Sequence, residues 1–169
     1  MKPVIVAAAF CGLAFASLVH QAAAQDALAP PSGSNLLLEA DAAGVQVYIC
    51  SETDKGFAWA FEGPAASLFN AEGREIGTHG KGPMWTLADG SAITAQPIAE
   101  KAAPQQRSIP WLLLKVKTHF GKYGALSKVD FVRRADTNGG AAPREGCDRE
   151  HQGDIARMRY TALYQFYGP

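Results

Sequence analysis

Residues 73–93 read GREIGTHGKGPMWTLADGSAI, and their pattern of alternation and turns predicts two consecutive β-hairpins. Side chains alternate between two faces from residue 74 to residue 79, as in a half-buried strand. The glycines and the proline of residues 80–83 interrupt a regular ladder of hydrogen bonds, so they predict a bend. Residues 84–87 then resume as a short strand. This arrangement places His79 at the rim of the bend and Trp85 just beyond it.

The second hairpin is indicated by Asp89-Gly90, which stands between two apolar runs. An Asp-Gly pair is a strong hairpin signal because both residues tolerate the positive φ that a tight turn needs. Residues 91–94 would form the return strand. The Asp-Gly-Ser sequence at residues 89–91 is therefore explained by turn chemistry alone.

A period of two recurs along the chain and predicts further strands in residues 44–51, 57–62 and 155–167. In the first segment, Val45, Val47 and Ile49 are expected to face inward. In the second, Phe57, Trp59 and Phe61 share a face that is expected to join the core, with a ligand platform as the alternative. In the third, one face carries Met158, Tyr160, Ala162, Tyr164 and Phe166, and the other carries Arg157, Arg159 and Thr161. In the first segment, the opposite face would carry Gln46, Tyr48 and Cys50.

The frequency of turn signals sets the fold class. Residues 41–44, 51–56 and 63–64 are expected to form turns, and residues 96–107 and 135–154 are expected to form longer loops. No stretch has a helical period over ten or more residues. We therefore expect about nine or ten short antiparallel strands in an all-β domain, either a β-barrel or a β-sandwich. The sequence does not choose between these two architectures.

The N-terminus has the pattern of a secretory signal peptide. Residues 1–24 contain a basic Lys2, an apolar segment and the small-residue cleavage motif Ala22-Ala23-Ala24. Residues 25–35 are expected to form a flexible arm, and residues 36–169 a single β domain. We expect export to the periplasm or the extracellular space, with no transmembrane segment in the remaining chain. The oligomeric state stays open.

Two cysteines would remain after Cys11 is removed with the leader. Cys50 and Cys147 form an even pair in an exported chain, which favours a disulfide bond between them. A metal site is the alternative, but the two cysteines lie in unrelated contexts. His79, His119 and His151 are also widely separated and have no ligand-spaced partners. We expect no metal.

The charge balance argues against nucleic acid as a partner, because 16 Lys and Arg residues are matched by 16 Asp and Glu residues. A basic set could still form a local stripe for carboxylate or phosphate groups if its strands are neighbours. That set is Lys115, Lys117, Arg133, Arg157 and Arg159. The alternative is a solvated face that discourages edge pairing.

Several segments together resemble domain-of-unknown-function family 3455. They include GVQVYIC, IPWLLLKVKTHFGKYGAL and RYTALYQFY, and the most specific is H-x-x-G-P-x-W at residues 79–85 followed by Asp-Gly-Ser at residues 89–91. The resemblance covers nearly the whole chain after the leader. It implies an exported protein of a kind found in bacteria and fungi, and it implies no function.

Some fungal proteins that this chain resembles carry a malate dehydrogenase label, but the residues do not support a dinucleotide site. Such a site needs a strand, G-x-G-x-x-G and a helix in succession. Gly77, Gly80 and Gly82 have the spacing G-x-x-G-x-G instead, and Pro83 follows in place of a helix. We reject the dehydrogenase interpretation and expect no cofactor.

The remaining candidates for function are His79, Trp85 and Asp89. If there is a ligand site, we expect it at a rim formed by these three residues, with Trp85 stacking on a sugar or acyl group. We favour an exported ligand-binding or structural envelope module, for a glycan, a lipid or another envelope component. The alternative is a small hydrolase or isomerase that uses His79 with Asp89. His79 could instead brace the bend.

Overall fold

A computed structural model describes residues 26–169, which contain eight β-strands. The strands are β1 (Asn35–Thr53), β2 (Gly56–Phe69), β3 (Glu75–Gly80), β4 (Met84–Leu87), β5 (Ser91–Lys101), β6 (Trp111–Gly121), β7 (Phe131–Gly139) and β8 (Ile155–Gly168). The predicted leader, residues 1–24, and the cleavage site lie outside the described residues. Within residues 26–169, no helix is long and apolar enough to cross a membrane.

The eight strands form one closed antiparallel barrel in which each strand pairs with the next along the chain. The long first strand closes the ring, because β1 pairs with β2 on one side and with β8 on the other. The all-β prediction is confirmed, and the structure decides for the barrel over the sandwich. The ring has no terminal edge strand, but β2 pairs with β3 only over residues 66–69 and β5 pairs with β4 only over residues 92–94.

The strands are fewer and longer than the turn signals predict. The predicted turn at residues 41–44 is wrong, since these residues lie inside β1. Gly44 serves close packing there, because a Cβ at this position would collide with the backbone of Ala65 and Ala66. Gly63 and Pro64 likewise lie inside β2, where the register with β1 shifts between Val47 and Tyr48. Such a bulge accommodates Gly and Pro without ending the strand.

The predicted loops are also shorter in the structure. β5 continues through Pro97 to Lys101, with a register shift between Pro97 and Ala99. β7 continues to Gly139, so the long loop before β8 comprises only residues 140–154. In both cases, hydrogen bonds to a neighbouring strand extend the strand past residues that the sequence alone marks as a loop.

The prediction for the inward face of β1 is wrong. Gln46, Tyr48 and Cys50 are the buried side chains, whereas Val45, Val47 and Ile49 are half-buried on the outer face. Both faces carry enough apolar surface to be the inner one, so alternation alone does not distinguish them. The register with β2 and β8 places Gln46 and Tyr48 inside the barrel.

The aromatic residues of β2 share a face as predicted, but they do not belong to the core. Phe61 is 56% exposed, and Phe57 and Trp59 are half-buried. This part of the β1–β2 hairpin extends beyond the core toward the loop before β8. The indole Nε1 of Trp59 accordingly donates a hydrogen bond to the Glu145 carbonyl at 2.9 Å.

The prediction for β8 is confirmed in its central and C-terminal part, where Tyr160, Ala162, Tyr164 and Phe166 are buried on one face. These side chains join a core that includes the apolar residues of β6. Leu112, Leu113 and Leu114 are all at least 92% buried, as a continuous apolar run predicts.

The barrel has two different ends because connecting segments alternate between them in an antiparallel ring. Residues 70–74, 88–90 and 122–130 connect strands at one end, which we name the closed end. Leu126 and Val129 of the last segment are fully buried in the hydrophobic core there. Residues 54–55, 81–83, 102–110 and 140–154 connect strands at the opposite end, which we name the cavity end.

The predicted disulfide bond between Cys50 and Cys147 is present, with an S–S distance of 2.04 Å. It ties residues 140–154 to β1. Two backbone hydrogen bonds reinforce this attachment, from the Cys50 amide to the Asp154 carbonyl and from the Gly153 amide to the Cys50 carbonyl, both at 2.9 Å. A disulfide of this kind persists in oxidising compartments.

Candidate functional site

A cavity of about 490 Å³ enters the barrel from the cavity end. Its wall is formed by inward side chains of several strands and by residues of two connecting segments. The apolar lining includes Tyr48, Pro64, Pro83, Trp85, Pro97, Ile109, Leu112, Leu114 and Tyr164, and the polar lining includes Gln46, His79 and Arg134. Eight-stranded barrels have an interior just large enough to hold either packed side chains or one small ligand.

The mouth of the cavity lies between β2 and the connection from β3 to β4. Phe61, Glu62, Lys81 and Gly82 line it and are exposed. The Lys81 ammonium contacts the Glu62 carboxylate at 2.6 Å. These two charges offset each other, so the mouth has no net charge from this pair.

His79 lies at the wall of the cavity and is 4% exposed. Its Nδ1 is 2.9 Å from the Met84 carbonyl oxygen. Because a carbonyl only accepts, Nδ1 carries the proton in this contact, and Nε2 of the neutral ring is left as an acceptor. Burial lowers the pKa of His79 from 6.5 to about 4, although the hydrogen bond to Met84 opposes this shift. His79 is therefore neutral at physiological pH.

Trp85 is paired with His79 across the β3–β4 hairpin and is 1% exposed. The two rings stack, with centroids 4.3 Å apart. The Tyr164 ring contacts the edge or face of both, at centroid distances of 5.0 Å to His79 and 5.6 Å to Trp85. The Trp85 Nε1 atom has no hydrogen-bond partner among residues 26–169. The structure thus brings two of the three predicted site residues together.

Asp89 lies in the β4–β5 turn at the closed end, so the structure does not bring it to His79 and Trp85. Its carboxylate accepts hydrogen bonds from the Ser91 amide at 2.8 Å, from the Ser91 hydroxyl at 2.6 Å and from the Ala125 amide at 2.8 Å. The Ser91 hydroxyl in turn accepts one from the Leu126 amide. These bonds hold the pKa of Asp89 below its usual value. Asp89 and Ser91 therefore hold residues 122–130, which close this end of the barrel, in place.

Gln46 and Arg134 are cavity residues that the sequence did not single out. Gln46 is 1% exposed, and its Nε2 atom has no hydrogen-bond partner in the described part of the chain. It was overlooked because the wrong face of β1 was expected to be inward. Arg134 lies two positions after Val132, so both side chains are on the inner face of the same strand. A basic residue on an inner face is rare, and this pattern could have identified Arg134 as a candidate site residue.

Arg134 projects into the barrel interior from β7. It is directly opposite Leu112 of β6 and Tyr164 of β8. Its Nε and Nη2 atoms donate to the Pro110 carbonyl at 3.1 and 2.8 Å. Among residues 26–169, no carboxylate forms an ion pair with Arg134, in contrast to Arg133, which contacts Asp26 at 3.2 Å. The cavity wall therefore carries an arginine charge without an acidic partner.

Two buried tyrosines lie close to this charge. Burial raises the pKa of Tyr164, and the nearby Arg134 charge partly offsets that rise. Burial, with a contribution from Tyr164, also raises the pKa of Tyr160. Neither hydroxyl makes a hydrogen bond of good geometry within the described range. Tyr48 differs, since its hydroxyl donates to the Gly140 carbonyl at 2.7 Å.

The predicted basic stripe does not form. Lys115 pairs with Phe131, which in turn pairs with Tyr167 near the end of β8. Arg157 and Arg159 lie near the start of β8 and pair with Val47 and Val45 of β1. The two basic pairs are therefore separated by most of the length of β8.

The other histidines stay apart from His79. His119 Nε2 is 2.8 Å from the Val129 carbonyl, and His151 Nδ1 is 2.7 Å from the Asp148 carboxylate. Within residues 26–169, no group of three or more His, Cys, Asp and Glu side chains is arranged to hold a metal ion. His20 lies outside the described residues.

These features define a small antiparallel β-barrel with a partly apolar cavity at the cavity end. Residues 122–130 cover the closed end and are held there by hydrogen bonds. The chain belongs to the family described as Protein of unknown function (DUF3455), whose model matches residues 31–168. The resemblance inferred from the sequence is thus confirmed. No curated protein and no solved structure matches the chain.

Proposed function

We propose that this protein is an exported ligand-binding barrel that holds a small, mainly apolar molecule in the cavity at its cavity end. The observation that carries the proposal is the cavity of about 490 Å³ that reaches from the exposed Phe61 to the buried Trp85. Sites for small ligands have volumes of roughly 300–1,000 Å³ and combine apolar walls with a few polar groups. The cavity has both properties.

The shape of the interior favours a ligand-binding module over a purely structural one. A structural barrel of eight strands can fill its interior with side chains, and this barrel does so at the closed end with Leu126 and Val129. At the cavity end, side chains instead surround a space that opens to solvent. Residues 140–154 border this end and are fixed by the disulfide bond, which supports a preformed site.

The lining favours a lipid, acyl or aromatic ligand over a glycan. Ile109, Leu112 and Leu114 form an aliphatic wall, and prolines add further apolar surface. A sugar carries several hydroxyl groups that would need partners on this wall, and unpaired buried hydroxyls are costly. An apolar ligand needs only a few polar contacts, which His79, Gln46 and Arg134 can supply.

The geometry does not favour the alternative of a hydrolase or isomerase that uses His79 with Asp89. Asp89 lies at the closed end and is occupied by hydrogen bonds to Ser91 and Ala125. His79 Nδ1 donates to the Met84 carbonyl, and burial lowers the pKa of His79 to about 4, whereas an efficient general base has a pKa near the working pH. We therefore assign His79 to the wall of the proposed binding site.

The proposal is tested by native mass spectrometry of the protein recovered from exporting cells, followed by a thermal-shift panel of lipids, glycans and metal ions. We expect a co-purified apolar molecule, or a lipid-class compound that raises the melting temperature. A ligand present at a hundred times its dissociation constant stabilises a protein by about 2.7 kcal/mol. If only glycans or metal ions stabilise the protein, or if no compound does and nothing co-purifies, the proposal is refuted.

A further inference from the structure

Several hydrogen-bond donors that line the cavity have no partner among the described residues. Trp85 Nε1 and Gln46 Nε2 are donors without a hydrogen-bond partner among the described residues. The Tyr164 hydroxyl lies near Tyr160 and Arg134 but makes no hydrogen bond of good geometry with either. All three residues are at least 99% buried and line the cavity. Buried polar groups in native proteins are normally paired, so a set of unpaired donors around one cavity indicates a ligand that brings acceptor atoms.

Arg134 adds a positive charge to these donors. Two of its nitrogens bind the Pro110 carbonyl, which fixes the plane of the guanidinium group. Arg134 lines the cavity, and within residues 26–169 it makes no hydrogen bond of good geometry besides these two, so donors of the planar group remain for a ligand. A guanidinium edge binds the oxygens of a carboxylate or a phosphate in pairs.

The acidic residues of the cavity do not neutralise Arg134. Glu62 is the acidic residue in the lining, and it contacts Lys81 at the exposed mouth. A half-buried charge without a counter-ion is unfavourable, and binding of an anion removes this penalty. Tyr164 is opposite Arg134 on β8, and its hydroxyl lies near the Arg134 guanidinium, so an anion bound by Arg134 could also accept from Tyr164.

Resting on the proposed function, we propose that the ligand is an amphipathic anion, with an apolar chain along the aliphatic wall and a carboxylate or phosphate group bound by Arg134. The head group would lie inside the barrel near Tyr164, and the chain would extend past Leu112 toward the mouth at Phe61. Free fatty acids and the phosphate groups of lipids share this chemistry.

The test compares dodecanoate, dodecyl phosphate and dodecanol, each below its aggregation threshold, by isothermal titration calorimetry with the purified protein. The three compounds share one alkyl chain and differ in the head group. We expect at least one anion to bind about ten- to a hundredfold more tightly than dodecanol, as a charged hydrogen-bonded pair provides. If dodecanoate binds more tightly than dodecyl phosphate, the ligand is a fatty acid. If dodecyl phosphate binds more tightly, the ligand is a lipid with a phosphate group.

A matched pair of variants assigns the effect to one side chain. Arg134→Met should remove the preference for anions, measured as the ratio of anion to dodecanol affinity within the same variant, because the charge that binds the head group is lost. Arg133→Met is the control, since Arg133 is the adjacent residue but does not line the cavity. It should keep the preference.

Three results would overturn the inference. Equal affinity of the unaltered protein for dodecanol and both anions would refute it without any variant, and would leave the proposed apolar site intact. Equal loss of anion preference in both arginine variants would show a general charge effect. Failure of all three compounds to bind would refute an alkyl anion as ligand, while the panel of lipids, glycans and metals decides the proposed function separately.

Discussion

The imidazole of His79 lies parallel to the indole of Trp85, with ring centroids 4.3 Å apart and an angle of 11° between the planes. The two residues face each other across the β3–β4 hairpin, so the stacking follows from the register of that hairpin. The buried stack keeps the imidazole away from solvent, and this burial is the main cause of its low pKa. The stability of the barrel therefore depends on the charge of His79.

Acid should destabilise the protein through His79. The pKa of His79 is about 4 in the folded state and 6.5 as the reference value, so the unfolded chain binds more protons between these values. The contribution of His79 to the free energy of unfolding is fully present above pH 6.5. It is lost as the pH falls to about 4, and the loss amounts to at most about 3 kcal/mol. Urea unfolding across this pH range measures the loss.

His79→Phe isolates this contribution because a phenyl ring can still stack on Trp85 but cannot titrate. We expect the variant to be less stable than the unaltered protein at pH 7, since the Met84 carbonyl loses its donor, and to lose less stability on acidification. His119→Gln, at an exposed position outside the cavity lining, is the control. Identical pH dependence in His79→Phe and the unaltered protein would contradict the assignment.

Asp89→Ala should weaken the closed end without affecting ligand binding. The substitution removes the acceptor for the Ser91 hydroxyl and for the Ala125 amide, and we expect a loss of about 1–3 kcal/mol in the free energy of unfolding. Asp54→Ala, in the exposed β1–β2 turn, is a control expected to cost less than about 0.5 kcal/mol. A large loss of ligand affinity in Asp89→Ala at unchanged stability would instead place Asp89 in the binding site.

Reduction of the bond between Cys50 and Cys147 should destabilise the barrel. The two cysteines are separated by 97 positions, and closing a loop of about 100 residues contributes up to about 4.7 kcal/mol by chain entropy. Urea unfolding with and without a reductant measures the difference. Alkylation of the unreduced, denatured protein followed by intact-mass measurement should detect neither thiol, and modification of both would disprove the bond.

Phe61→Ala should weaken ligand binding because Phe61 lines the cavity mouth while remaining 56% exposed. We expect a three- to tenfold loss of affinity, about the contribution of a partly buried phenyl ring, with little change in melting temperature. Phe120→Ala is a matched control, since Phe120 is 42% exposed and lies outside the cavity lining. Equal effects of the two substitutions on affinity would argue against a ligand at this mouth.

The sequence alone determined the strand content and much of the local pairing. Alternation at period two identified β8 and its buried face, and Gly-Pro and Asp-Gly signals bounded β4 at residues 84–87 as the structure has it. The even number of cysteines left after the predicted leader favoured the disulfide bond that the structure contains. These features depend on residues close in sequence or on simple counting, so no three-dimensional information was needed.

Tertiary structure decided which faces and ends come together. Period two defines two faces of β1 but does not select between them when both carry apolar residues, and only the register with β2 and β8 turned Gln46 inward. The pairing of β7 with β8 brought Arg134 beside Tyr164. Asp89 lies at the opposite end of β4 from His79, as the two consecutive hairpins predicted from the sequence already require. Pairing between distant strands fixes the positions of Gln46 and Arg134, because in a closed ring each strand's register is set by both of its neighbours.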